Sequence, residues 1–64
     1  MKAYFKNEIA RAAGVSTNTL RRWLATKKDV LEKMGVLPRQ QLLPPRAVRY
    51  ICHEYGISDE DLLR

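Results

Sequence analysis

The residues best equipped for chemistry in this 64-residue chain are cations, and they crowd toward one end. Within residues 1–28, Lys2, Lys6, Arg11, Arg21, Arg22, Lys27 and Lys28 stand against Glu8 alone, a local charge of +6. Residues 29–64 hold Lys33, Arg39, Arg46, Arg49 and Arg64 against Asp29, Glu32, Glu54, Asp59, Glu60 and Asp61, a local −1, so the whole excess of +5 lies in the first part. Charge concentrated in this way suits a polyanion as partner, although a basic surface kept for solubility has the same composition. The other reactive residue types are too sparse for a reaction centre. Cys52 has no second cysteine to bridge to, and His53 alone supplies no ligand set for zinc. No carboxylates pair on a foreseeable scaffold, no phosphate-cradling loop is present, and no nucleophile has a base at motif spacing. We therefore expect no enzymatic activity, no metal and no cofactor.

The elements that must position these cations follow from the apolar pattern. A chain of this length makes one domain, here residues 1–64, and buries only about 60% of the surface its unfolded form exposes. Its core must come from Phe5, Ile9, Leu20, Trp23, Leu24, Val30, Leu31, Met34, Leu42, Leu43, Val48, Ile51, Tyr55 and Leu62. That set is enough for a small helical bundle but not for an enclosed small-molecule substrate cavity. Phe5, Ile9 and Ala13 recur every four residues and mark one side of a helix over Lys6–Ala13, ended by Gly14. Ser16 is placed to cap a second helix, in which Leu20, Trp23 and Leu24 face inward and Asn18 and Arg22 outward, with Arg21 on the flank. That helix should stop around Thr26–Lys28. A short third helix over Asp29–Met34 would bury Val30, Leu31 and Met34, with Gly35 as its terminator.

Pro38, Pro44 and Pro45 bracket Val36–Leu43, which proline bars from being regular helix; it reads as extended chain or a small hairpin. Pro45 suits the first turn of a helix over Pro45–Tyr55, with Val48, Ile51, Cys52 and Tyr55 as the inner stripe and Gly56 as the stop. Ser58 and Asp61 resemble a capping box for a last turn through Leu63. The architecture expected is all-α: a helix-turn-helix bundle of four to five short helices with a short extended or hairpin wing.

The segment from Glu8 to Leu24 meets the mechanical demands of a helix-turn-helix. Ala10 is small where two helices cross, Gly14 allows the sharp turn, Val15 plugs the angle, and Leu20 with Trp23 anchors the second helix on the first. Combined with the basic excess, this motif points to double-stranded DNA as the partner. The phrase Ile9-Ala10-Arg11-Ala12-Ala13-Gly14-Val15-Ser16-Thr17-Asn18-Thr19-Leu20-Arg21-Arg22-Trp23-Leu24 is similar to the motif of the MerR and excisionase-like winged helix-turn-helix families. The stretch Leu43-Pro44-Pro45-Arg46-Ala47-Val48-Arg49-Tyr50-Ile51 resembles the helix that follows the wing there. The spacer Ala25–Gly35 departs from the usual short connection, and no long dimerisation helix is present. The chain thus suits a small excisionase-like or orphan regulator better than an inducer-sensing activator.

The resemblance implies a major-groove recognition helix opening at Ser16, with Thr17, Asn18, Arg21 and Arg22 as its reading face. Arginine can donate a parallel pair of hydrogen bonds to guanine, and asparagine can pair in the same way with adenine. Lys27, Lys28 and, in the wing tip, Arg39, Gln40 and Gln41 would contact phosphates, although a solvated loop fits the wing residues nearly as well. The same polar stripe also fits a plain exposed helix face. Arg46, Arg49 and His53 read as a solvated outer face. A homodimer or a partner protein on the DNA is expected, because one module spans a short site. The competing reading is an adaptor that binds protein through the third helix and wing without touching DNA. No apolar run approaches a membrane span, and the N-terminus lacks the apolar region of a secretory signal, so a cytoplasmic location is expected.

Overall fold

A computed structural model describes residues 2–37 and 39–63. The order is β1 (Tyr4–Phe5), α1 (Lys6–Ala13), α2 (Thr17–Ala25), α3 (Lys28–Lys33), β2 (Leu42–Leu43), α4 (Pro45–Tyr55) and α5 (Asp59–Leu63). This is the expected helical bundle with a short extended segment between its third and fourth helices. α1 and α4 keep the bounds read from the sequence, and α3 begins and ends one residue earlier. The role of Pro38 lies outside the described residues.

A recurrent device ends three of the helices. At the end of α1, Gly14 adopts φ 74°, a left-handed conformation that costs glycine nothing because it has no Cβ to clash. Its N–H donates to the Arg11 carbonyl at 3.1 Å, and the Val15 N–H donates to the Ala10 carbonyl at 3.0 Å. The same outer bond recurs after α3, from Val36 N–H to the Leu31 carbonyl, and after α4, from Ile57 N–H to the Cys52 carbonyl, both at 2.9 Å. In each case the residue after the glycine is apolar, and Val36 and Ile57 are folded back into the core. Apolar residues are common at this position because the returning chain lies against the helix it has just left.

Of the segment read as extended chain or a small hairpin, Leu42 and Leu43 form strand and Arg39 lies in a turn. The two leucines pair antiparallel with β1, Tyr4 opposite Leu43 and Phe5 opposite Leu42. The Lys6 N–H, left without an intrahelical partner at the start of α1, donates to the Gln41 carbonyl at 2.9 Å. Successive strand residues point to opposite faces. Tyr4 and Leu43 are therefore buried, and Phe5 and Leu42 are exposed.

This corrects the expected core at three positions. Helical spacing extended backward puts Phe5 inside, but it is an extended residue with ψ 155°, so that phase does not apply. Leu42 faces out opposite it. Val30 is on the outer side of α3, whose six residues bury Leu31 alone. The fully buried residues are Ile9, Leu20, Leu43, Val48 and Ile51, with Ala47 packed among them.

Cys52 belongs to this core. Burial, and secondarily the negative charge of Asp59, push its thiol above the ordinary range. Since the thiolate is the reactive form, we expect a thiol reagent at neutral pH to leave the folded chain almost unmodified and to label it promptly in denaturant. Equal labelling in both states, read by mass spectrometry, would contradict the packing of α4.

Candidate nucleic-acid interface

α2 is set at its start by Ser16 and at its end by α4. Ser16 has extended backbone, and its hydroxyl oxygen accepts the Thr19 N–H at 3.1 Å, satisfying one of the free donors of the first turn. The same hydroxyl lies 3.0 Å from Thr19 Oγ1, to which it donates. Ser16 is thus engaged in starting the helix, and its assignment to the contact surface takes second place to that role. Ser16→Ala should cost about 1 kcal/mol, lowering the melting temperature by roughly 4–8 °C for a domain of this size. A thermal scan by circular dichroism checks this.

At the other end, the Trp23 and Tyr55 rings stack with centroids 4.6 Å apart and planes 16° from parallel. The Tyr55 hydroxyl donates to the Trp23 carbonyl at 3.0 Å, and the Thr26 hydroxyl donates to the same oxygen at 2.6 Å. The Thr26 backbone N–H donates to this oxygen as well, at 3.1 Å, so Thr26 closes α2 while the Tyr55 hydroxyl attaches it to α4. Trp23 is only partly buried. It acts as a clamp between two helices, a pairing with Tyr55 that no spacing in the chain announces.

Leu20 and Leu24 face the core, and helical geometry puts Asn18 and Arg22 on the opposite side, one turn apart; both are exposed. Thr17 is half-buried near the core side of the first turn. Arg21 is exposed on one flank and borders a groove that also meets Lys6 and Lys28. The Lys6 side chain is 5% exposed, and its ammonium is pushed below the usual lysine range by burial and then by the Arg21 charge. Lys28 is exposed, 3.9 Å from Glu32 one turn further along α3. Lys27 lies on the Trp23 side, half-buried and 3.8 Å from Glu54 of α4. Surface pairs of this length contribute little to stability.

Arg39 sits exposed in the turn before β2. Its neighbour Gln40 is committed to the loop itself: its amide oxygen accepts the Leu37 N–H at 3.2 Å and its amide nitrogen donates to the Leu42 carbonyl at 2.8 Å. The Gln41 amide nitrogen donates to the Arg39 carbonyl at 3.5 Å. The long polar side chains grouped as a wing tip therefore divide, two bracing the loop and Arg39 projecting from it. Arg46, Arg49 and His53 are exposed along α4.

The structure thus gathers Asn18 and Arg22 on one outward line, with Arg21 and Lys28 along one edge. Lys27 stands on the other edge, beside α4. The family model of the CENP-B N-terminal DNA-binding domain matches residues 4–34, a little under half of the chain. That span runs from β1 through α1, the turn and α2 to the end of α3, so the similarity falls on the helix-turn-helix and its spacer. The match is to a helix-turn-helix of a DNA-binding type and does not single out the MerR or excisionase families. No curated protein and no solved structure matches the chain. Among the described residues, no helix is long and apolar enough to cross a membrane.

Proposed function

We propose that this chain binds double-stranded DNA in a sequence-specific manner through α2. The observation that carries this reading is the coincidence of the DNA-binding family match, over residues 4–34, with a helix-turn-helix whose second helix turns Asn18 and Arg22 to solvent. Asn18 and Arg22 read base edges in the major groove, where each base pair presents a distinct pattern of donors and acceptors. Arg21, Lys28 and Arg39 hold phosphates, and Lys27 reaches the backbone from the α4 side. Phosphate contacts fix register without carrying sequence information. Thr17 supports the reading face from the first turn of the helix.

The finer reading is a small regulator or an excisionase-like accessory factor, a role with no catalytic step. It is supported by the order of helix-turn-helix, extended segment and proline-led helix, which follows the MerR and excisionase-like pattern. Such a protein works in the compartment that holds the DNA, the cytoplasm in a cell without a nucleus, as a homodimer or beside a partner protein.

Selection of bound sequences from a random duplex pool tests the reading. The expected outcome is a recovered motif of a few adjacent base pairs, repeated if two copies bind. A pool returned without enrichment would contradict sequence-specific binding.

A further inference from the structure

We propose that the groove beside α2 docks α5 of a second copy of this chain. The groove encloses about 210 Å³, with Leu31 in its floor and Leu37 at its lip. Lys6, Arg21 and Lys28 border it, against the single acid Glu32. Sites for drug-sized ligands run to about 300–1,000 Å³, so this space suits one or two inserted side chains better than a whole small molecule. Its occupant should be a protein surface that offers an apolar side chain flanked by acids.

α5 is such a surface. It turns Leu62 into the core and leaves Leu63 74% exposed, the most exposed large apolar side chain of the described residues, followed by Leu37 at 68%. Asp59 and Glu60 precede Leu63 by four and three residues, the spacings that share a helix face. Seating Leu63 against Leu37 and Leu31 covers the two most exposed leucines together and brings these acids to the cationic border. It also explains a division present in the sequence, where residues 1–28 carry the positive excess and the last helix opens with Asp59, Glu60 and Asp61.

Groove and helix are different surfaces of the same chain, so the contact is heterologous and joins copies head to tail. Its small area makes it a weak association. Asn18 and Arg22 lie outside the groove, whereas Arg21 and Lys28, proposed above to hold phosphates, border it, so docking and phosphate contact compete for these two cations. The docking itself does not depend on the reading of α2 as a DNA-binding helix.

Sedimentation of the chain without DNA tests this, from about 10 µM to about 1 mM, the range in which a small contact associates. The weight-average mass should rise with concentration and fall back toward the monomer at high salt, which screens exposed charges. Leu37→Asp, which sets an acid at the groove mouth, and Leu63→Lys, which sets a cation on α5, should each remain monomeric. Both positions are exposed, and circular dichroism verifies that the variants fold. Mixed together, the two variants should associate again, because the intact α5 of one meets the intact groove of the other. A wild-type chain that stays monomeric across the range, a single variant that associates like wild type, or a mixture that fails to pair would each overturn the proposal.

Discussion

Leu20→Ala is expected to remove a large part of the stability of this domain. Leu20 is fully buried where α2 crosses α1, and truncating such a leucine costs about 2–5 kcal/mol through lost burial and the cavity left behind. At roughly 0.05–0.15 kcal/mol per residue, a chain of this size has only about 3–10 kcal/mol in total. A substantial unfolded population at room temperature should follow. Val30→Ala is the matched comparison. Val30 is an apolar helix residue too, but it is 37% exposed, and substitutions outside the core usually stay within about 0.5 kcal/mol. Trp23 is the sole tryptophan, so its fluorescence reports loss of the stack with Tyr55 in both denaturation curves. Similar midpoints for the two variants would contradict the orientation of α2 and α3.

The second large effect concerns recognition. Arg22→Ala should cost about 1–3 kcal/mol on a selected site and relax preference at one base position. Arg39→Ala and Lys28→Ala should instead weaken selected and scrambled duplexes alike and reduce the salt slope, as loss of a phosphate contact does. The difference follows from placement: Arg22 projects from the side of α2 opposite Leu20, whereas Lys28 borders the groove at its edge and Arg39 projects from the turn before β2. Binding curves on two duplexes at two salt concentrations separate the cases. Equal loss on both duplexes from Arg22→Ala would remove the main support for α2 as the reading helix and favour the loop around Arg39.

Much of this arrangement was legible because its signals are local. Gly14, Ser16, Pro45 and Gly56 mark helix ends by their own backbone chemistry, and the helices they bound came out where those residues put them. The spacing of Leu20 and Leu24 fixed which side of α2 faces solvent, and with it the exposure of Asn18 and Arg22. Non-local features were hidden. Nothing near Tyr4 announces that it will pair with Leu43, so the helical spacing points to Phe5 for the buried place that Tyr4 occupies. The stack of Trp23 on Tyr55 joins residues from α2 and α4 and leaves no spacing pattern. The same holds for Lys27, whose approach to Glu54 places it apart from Arg21 and Lys28. Val36 and Ile57 are a different case, for a signal was present: each is the apolar residue after a helix-ending glycine, the position that returns to the core.

The central claim, that the basic face around α2 binds duplex DNA, is tested most directly by titrating a duplex with the chain across a series of salt concentrations. With Arg21, Lys28, Arg39 and Lys27 as candidate phosphate partners, the logarithm of the binding constant should fall linearly with the logarithm of salt, at a slope near −0.9 per phosphate neutralised, roughly −2 to −4 in all. An affinity that is absent at low salt, or that does not change with salt, would contradict the account.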